Sequence, residues 1–156
     1  MADKQKILLD TNYVIAAYDT GQLELRETVR KLMLDQNVEL AITPLIRFEV
    51  LNKPNISETH FNRLDALMGL LRTYEIRNVE AKLAAQLLQK AMHIKEVNLI
   101  KNNQPPHSEQ QKKIAELKLR FDAFHVASAA VNGLNLLSED LGIQSLKEIQ
   151  TTLKKE

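Results

Sequence analysis

The sequence predicts an α/β fold, arranged as a three-layer α/β/α sandwich around a central parallel sheet. Four short segments have the length of strands, and they lie at residues 7–9, 40–43, 73–77 and 135–138. Helical stripes of apolar residues separate these segments, and this alternation of strand and helix favours a parallel sheet. The chain contains no internal repeat and no long linker, so we expect a single domain over residues 1–156, with a loop or insertion near residues 95–119.

Local signals in the sequence predict where several helices begin and end. Pro44 follows the second predicted strand and suits the first turn of a helix, because proline has no N–H group to leave unpaired there. Ser57 is placed to cap the next helix through its hydroxyl. Gly133 suits the end of the long helix before the fourth strand. Residues 102–111 are polar, contain two adjacent prolines and predict a loop.

The composition excludes several classes of protein. The chain has 156 residues, of which 44% are hydrophobic, so it is long enough and apolar enough to bury a core. It has no cysteine, which excludes disulfides, thiolate zinc sites and a cysteine nucleophile. Its first residues are polar and lack a signal-peptide core, and no apolar run approaches the ~20 residues that cross a bilayer. We therefore expect a soluble, cytoplasmic protein without a membrane partner.

Positive charge is concentrated in one part of the chain. The formal net charge is only +1, but residues 82–120 carry eight basic and three acidic side chains. Such a stripe is either a solvated helical face or a surface that contacts phosphates. If the second interpretation holds, Lys112, Lys113 and Lys118 are the candidates for binding a nucleic-acid backbone.

Four carboxylates lie where parallel sheets place their ligand sites. Asp10 and Asp140 follow the first and fourth predicted strands. Asp122 is expected to open or interrupt the helix before the fourth strand, and Glu49 lies on the helix after the second. Ligands of open parallel sheets bind beyond the carboxyl ends of the strands, so the shared placement favours one common site.

Each of these acids also has a simpler explanation. Asp10 and Asp122 could cap helices, Asp140 could form an Asx turn, and Glu49 could be a solvated helix residue. A common site also requires bound cations, because four like charges repel unless cations neutralise them. Carboxylate oxygens are ligands that Mg²⁺ and Mn²⁺ prefer. Metal ions held in this way activate water and stabilise the transition state of phosphodiester hydrolysis.

Three segments of the sequence resemble the PIN-domain family. Residues 7–12, which read ILLDTN, resemble the opening of PIN domains. Residues 43–49, which read TPLIRFE, resemble the segment that carries the family's glutamate. The third and most specific segment combines residues 122–129 (DAFHVASA), Gly133 and residues 136–140 (LLSED). The resemblance covers roughly residues 7–142.

The resemblance implies a fold, a chemistry and a set of site residues. It implies a three-layer fold with a central parallel sheet, and hydrolysis of RNA with Mg²⁺ or Mn²⁺ as cofactor. The implied catalytic residues and metal ligands are Asp10, Glu49, Asp122 and Asp140. Thr11, Asn12 and Ser138 match positions that line such sites, and His125 either contacts the substrate or a carboxylate or is a packed structural residue.

The small single-domain members of this family suggest a biological role. Many are toxins of type II toxin–antitoxin pairs of the VapC kind, which are endoribonucleases held inactive by a cognate antitoxin and which usually dimerise. The resemblance therefore implies an RNA substrate, an antitoxin partner and a homodimer. Two alternatives stay open, namely a PIN nuclease of RNA maturation without an antitoxin, and a non-catalytic module that binds RNA or protein.

This chain also departs from the family pattern. Family members often carry another acid or an aromatic residue shortly after the fourth acid, where this chain has Leu141 and Gly142. No final strand is obvious in residues 143–152. Aromatic side chains that could stack an RNA base are few, and Tyr13, Tyr18 and Tyr74 are the tyrosines available.

Overall fold

The computed structural model describes residues 3–17 and 21–155, and these residues form two compact units. The first unit contains the described residues of Met1–Ile76 together with Asn132–Ser138. The second unit contains those of Arg77–Val131 together with Glu139–Glu156. The predicted strands all belong to the first unit, and the long helices make up the second.

The first unit is built on a four-stranded sheet in which every neighbouring pair is parallel. Its strands are β1 (Gln5–Leu9), β2 (Val38–Ile42), β3 (Arg72–Thr73) and β4 (Asn135–Leu137), in the order β3-β2-β1-β4. Its helices are α1 (Thr11–Ala16), α2 (Leu23–Leu34), α3 (Pro44–Leu51) and α4 (Glu58–Gly69). Leu8 in β1 pairs with Ala41 on one side and with Leu136 on the other.

The core of the first unit follows from the apolar runs. The inner strand β1 ends in three buried residues, as expected for a strand with neighbours on both edges. Helices contribute further buried side chains, which include Val14, Ile46, Val50, Leu64 and Met68. Burial of these side chains stabilises the unit, at roughly 1.5–3 kcal/mol for each fully buried large aliphatic residue.

Strand β3 is shorter than the sequence predicts. We expected a strand over residues 73–77, but the pairing with β2 covers only Arg72 and Thr73. One more backbone bond joins the Tyr74 N–H to the carbonyl of Ile42 at 2.9 Å. Strand β2 ends at Ile42, so the chain beyond Tyr74 has no further strand backbone to pair with on that side.

The predicted helix starts in the first unit are confirmed. Pro44 is in the first turn of α3, and the Thr43 hydroxyl accepts a hydrogen bond from the Ile46 N–H at 3.3 Å. Ser57 is the N-cap of α4, and its hydroxyl accepts from the His60 N–H at 3.1 Å. Both caps satisfy backbone donors that the helix itself leaves unpaired.

The second unit consists of three helices. They are α5 (Asn78–Lys101), α6 (Glu109–Asn132), whose last residue belongs to the first unit, and α7 (Leu141–Lys155). The connection between α5 and α6 is residues 102–108, so most of residues 95–119 is helical. Gly133 follows α6 with a φ of +65°, which confirms its predicted role as the helix terminator. The expectation of a single domain stays a prediction.

The prediction that Asp122 opens or interrupts a helix is wrong. Asp122 lies inside α6, which runs without a break from Glu109 to Asn132. No glycine or proline occurs between these two residues, so nothing in the backbone ends the helix near Asp122. The residue therefore presents its carboxylate from a continuous helix.

Among the described residues, no helix combines the length and the hydropathy that a membrane span requires.

A buried glutamate paired with an exposed arginine anchors the start of α5, and this pair generates a prediction about stability. Glu80 is fully buried and accepts hydrogen bonds from the Arg77 backbone N–H at 3.1 Å and from its guanidinium at 2.7 Å. Glu80→Gln keeps the shape but loses the charge-assisted bonds, so we expect the free energy of unfolding to fall by about 1.5–3 kcal/mol. Urea unfolding measures this free energy, and Glu75→Gln, a change at an exposed residue, is the control. Surface substitutions usually change the free energy of unfolding by less than about 0.5 kcal/mol. A loss as small as that in Glu80→Gln would contradict the role of Glu80 as an anchor of α5.

Candidate functional site

The carboxyl ends of three neighbouring strands in the first unit carry polar residues. Asp10 follows β1, Thr43 follows β2 and Ser138 follows β4. The Asp10 N–H donates to the carbonyl of Leu137 at 3.2 Å, which continues the pairing of β1 with β4 by one residue. Because the strands are parallel, these residues lie at the same edge of the sheet.

Hydrogen bonds from two sides fix the carboxylate of Asp10. Its Oδ1 accepts from the Thr11 N–H at 2.7 Å, and its Oδ2 accepts from the Ser138 hydroxyl at 2.8 Å. The residue is only 6% exposed. Asp10 is also the N-cap of α1, so the simple explanation as a helix cap describes its backbone position correctly. A cap alone does not require the second bond, which comes from a residue 128 positions further along the chain.

Thr11 links Asp10 to Glu49. Its N–H donates to Asp10, and its hydroxyl donates to Glu49 Oε1 at 3.2 Å. Glu49 lies on α3, where it is half-buried. One threonine therefore holds two carboxylates from different helices, and the first unit brings together two of the four predicted acids.

The other two acids belong to the second unit. Asp140 precedes α7, and its Oδ1 accepts from the Gly142 N–H at 2.7 Å and from the Ile143 N–H at 3.2 Å. The first of these bonds closes the Asx turn that the sequence offered as a simpler explanation. The second satisfies another unpaired donor of α7, so Asp140 caps this helix.

Asp122 and Asp140 approach each other beside Gly142. A side-chain carbon built on Gly142 would lie 3.0 Å from Asp140 Oδ1 and 3.5 Å from Asp122 Oδ2. The two carboxylates thus flank a single point next to the backbone of α7. The second unit brings this pair together, although one acid comes from the interior of α6 and the other from a helix start.

The remaining residues predicted to line the site differ in exposure. Asn12 is exposed in the first turn of α1. His125 is completely buried in α6, which agrees with the interpretation of this residue as packed. Their roles stay predictions.

The predicted lysines lie on α6, and one of them is already paired. The Lys112 ammonium contacts Glu96 at 3.2 Å and Glu109 at 3.6 Å. The hydrogen bond to Glu96 and the negative charges of both glutamates raise the pKa of Lys112. Lys113 and Lys118 are exposed on the same helix.

Two of the three tyrosines are engaged inside the first unit. Tyr13 is buried in α1. The Tyr74 hydroxyl donates to Glu39 at 3.0 Å, and the Arg72 guanidinium lies 4.9 Å above the ring. Partial burial and the hydrogen bond to Glu39 raise the pKa of Tyr74. Tyr18 lies outside the residues that the structure describes.

The chemistry of the donors fits a hard divalent cation. Each pair supplies carboxylate oxygens, and the first unit adds the Thr11 and Ser138 hydroxyls beside them. Oxygen donors of this kind suit Mg²⁺ or Mn²⁺. In the described part of the chain, no group of three or more acidic, histidine or cysteine side chains is arranged to hold a metal ion.

One residue of this arrangement was not recognised in the sequence as part of a site. Gly142 was noted only as a departure from the family pattern, yet it lies between two of the predicted acids. The signal that could have revealed it is a glycine two residues after a helix-capping aspartate, in the first turn of a helix that alanine would form more readily.

Together, the parallel sheet and the polar residues beyond its strands define an α/β protein with an oxygen-rich site at the carboxyl edge. Comparison with known families identifies the class more closely, because the PIN domain model matches residues 7–149. The chain belongs to the PIN-domain family, whose members are generally nucleases. A comparison of the sequence with curated proteins finds no match.

The structure is similar to a chain in the crystal structure of VapBC2 from Rickettsia felis bound to a DNA fragment from their promoter. The TM-score is 0.57 at 14% sequence identity, and the similarity covers 88% of this chain and 89% of the other. At this identity the likeness shows the fold. The predicted PIN-like α/β/α fold with a central parallel sheet is confirmed.

Proposed function

We propose that this chain is a metal-dependent endoribonuclease and the toxin of a type II toxin–antitoxin pair. Its catalytic residues and metal ligands in this proposal are Asp10, Glu49, Asp122 and Asp140, with Mg²⁺ or Mn²⁺ as cofactor. The observation that carries the proposal is the double contact of Thr11, which holds Asp10 and Glu49 beside each other at the carboxyl edge of the sheet. Membership of a family of nucleases supports the chemistry.

The surroundings of Asp10 support a role beyond capping. In the part of the chain that the structure describes, the two hydrogen bonds to its carboxylate come from uncharged donors, the Thr11 N–H and the Ser138 hydroxyl. By contrast, Glu80 and Asp65 are paired with the arginines Arg77 and Arg47. Uncharged donors orient a carboxylate without forming an ion pair with it, which suits a carboxylate whose proposed partner is a bound cation.

The residues of this chain have distinct roles in the proposed reaction. A bound Mg²⁺ or Mn²⁺ supplies positive charge that activates water and stabilises the phosphodiester transition state. Thr11 and Ser138 hold the Asp10 carboxylate in one orientation, and Thr11 does the same for Glu49. The Gly142 and Ile143 N–H groups hold Asp140. This preorganisation lowers the cost of assembling the ligands around the cation.

Partners follow from the proposed role. The similarity to a chain of the VapBC2 complex, whose crystal structure contains a promoter DNA fragment, supports a cognate antitoxin as partner. We add an RNA substrate, a homodimer and a cytoplasmic location to the proposal. Lys112, Lys113 and Lys118 are proposed to contact RNA phosphates, with Lys113 and Lys118 making the larger contribution because Lys112 is paired with two glutamates.

The first prediction concerns Asp10. Asp10→Asn keeps an oxygen for the Thr11 N–H, and the Ser138 hydroxyl can reverse to accept from the new amide, so the cap survives. We expect RNA cleavage to be abolished and the stabilisation by Mn²⁺, about 2.7 kcal/mol for the wild type at 100 times its Kd, to be lost. Metal-free stability should stay equal or rise, because repulsion between carboxylates falls. Melting curves with and without Mn²⁺ and an RNA cleavage assay measure these effects.

A matched control for this change exists elsewhere in the first unit. Asp35 is exposed and accepts a hydrogen bond from the Asn37 N–H at 2.8 Å, so Asp35→Asn also removes one charge from a local turn. This control should leave cleavage and the Mn²⁺ response unchanged. If Asp10→Asn behaves like the control in both measurements, Asp10 is only a helix cap and the proposed metal site is wrong.

A second prediction concerns the lysines of α6. Replacing Lys112, Lys113 and Lys118 with Glu should weaken the binding of single-stranded RNA. The slope of log Kd against log salt should become shallower by roughly 2, at about 0.7 for each lost phosphate contact. The control replaces the exposed lysines 4, 31 and 53 with Glu, which changes the net charge equally. Equal slopes for the two triple variants would mean that the stripe is only a solvated face.

The proposed biological role makes a third prediction. Expression of the wild type in a bacterium should arrest growth, and co-expression of a small protein encoded beside its gene should relieve the arrest. Asp10→Asn at the same protein level should not arrest growth, since the toxic effect is assigned to cleavage. Normal growth at high wild-type expression in several hosts would reject the toxin role while leaving a nuclease of RNA maturation possible.

A further inference from the structure

The surroundings of Gly142 set it apart from Gly69 and Gly133, where a side-chain carbon would meet no atom within 4 Å. Any side-chain carbon at this position would lie 3.0 Å from Asp140 Oδ1, 3.5 Å from Asp122 Oδ2 and 3.4 Å from Leu119 Cδ2. A contact of 3.0 Å is shorter than the ordinary separation of non-bonded carbon and oxygen, so one of the neighbours would have to move. Two of those three neighbours are carboxylates of the proposed metal site.

The backbone itself does not require glycine here. Gly142 lies in the first turn of α7, and its φ is not in the left-handed region, in contrast to Gly133 with its φ of +65°. Alanine forms helices more readily than glycine. Glycine therefore gives up some helix stability at this position, and the three nearest atoms that a side-chain carbon would meet belong to Leu119 and the two acids.

We propose that Gly142 is a positioning residue for the metal ligands: its missing side chain lets the carboxylates of Asp122 and Asp140 approach the same point. The inference rests on the proposed function, because it assigns these two acids to a divalent cation. It adds a residue that contributes no ligand atom and acts by leaving room. Its backbone N–H also holds Asp140 Oδ1 at 2.7 Å, so the close approach and the hydrogen bond depend on the same residue.

The side chain that can give way is that of Asp140. Asp140 is exposed, whereas Leu119 and Asp122 are half-buried on α6. A methyl group on residue 142 should therefore rotate the Asp140 carboxylate away from the point that it shares with Asp122. The fold should survive this change, although rotation of Asp140 weakens the cap that it forms on the Gly142 and Ile143 N–H groups. The close approach of the Asp122 and Asp140 carboxylates should be lost.

The experiment compares Gly142→Ala with a matched control, Gly69→Ala. Gly69 is the last residue of α4, and a side-chain carbon there would meet no atom within 4 Å. Mn²⁺ affinity of the purified full-length variants is measured by the electron paramagnetic resonance of unbound Mn²⁺, and the melting temperature of the metal-free proteins is measured in parallel. We expect Gly69→Ala to melt close to the wild type, and Gly142→Ala to differ from it by a few degrees at most, because the weaker cap and the better helix former act in opposite directions. Gly142→Ala should lose roughly 10- to 100-fold in Mn²⁺ affinity, whereas Gly69→Ala should match the wild type.

A second readout separates positioning from a general structural effect. If Gly142→Ala acts on ligand placement, its RNA cleavage should recover when the Mn²⁺ concentration is raised by the same factor as the measured loss of affinity. A third variant, Gly142→Ala with Leu119→Ala, removes the apolar neighbour but leaves both carboxylates. Its Mn²⁺ affinity should stay low.

Each result that contradicts these expectations overturns a different claim. Wild-type Mn²⁺ affinity in Gly142→Ala would overturn the role of Gly142 and leave the proposed function standing. Restored affinity in the double variant would assign the effect to packing against Leu119 and would also overturn it. A wild-type protein that binds no Mn²⁺ would overturn the metal site itself, and the role of Gly142 with it.

Discussion

The parallel pairing of β1 with β2 on one side and β4 on the other is the constraint on which the first unit depends. It places the ends of three strands at one edge, so the residues that follow them must lie near each other. Asp10, Thr43 and Ser138 are those residues. The hydrogen bond from Ser138 to Asp10 spans 128 positions of sequence and exists only because β4 runs beside β1. A sheet with another strand order would separate this pair.

Helix capping and metal binding both use the lone pairs of carboxylate oxygens. Asp10 and Asp140 each accept backbone N–H groups at the start of a helix, where the helix leaves donors unpaired. A carboxylate has about four lone-pair sites, so a cap uses only part of its capacity. The cap then serves the proposed site, because it holds the side chain in one orientation. The simple explanation of these acids and the functional one are therefore compatible.

The buried and half-buried acidic side chains of this protein differ in the groups that they pair with. Glu80 is buried against Arg77, and Glu39 is shared by Arg72 and Tyr74. These acids stabilise local structure by pairing with cations of the chain itself. Asp10 is also buried, at 6% exposure, but among the described residues its carboxylate receives hydrogen bonds from uncharged donors only. A buried carboxylate without a cationic partner costs stability unless an external cation binds, which is the physical basis for expecting Mn²⁺ to stabilise the fold.

The sequence by itself determined the α/β class, the inner strands, the starts of α3 and α4 and the end of α6, because apolar period and capping residues act over a few neighbours. Local pattern also pointed to Asp10 and Glu49, but it misjudged Asp122, which sits inside a helix that no local signal interrupts. It overestimated β3, whose length depends on where β2 ends. The link from Thr11 to Glu49, the bond from Ser138 to Asp10 and the closeness of Gly142 to two carboxylates were decided only by the tertiary structure. Apart from the contact of Gly142 with nearby Asp140, each of these joins residues at least 20 positions apart, and such distances depend on packing that no local pattern records.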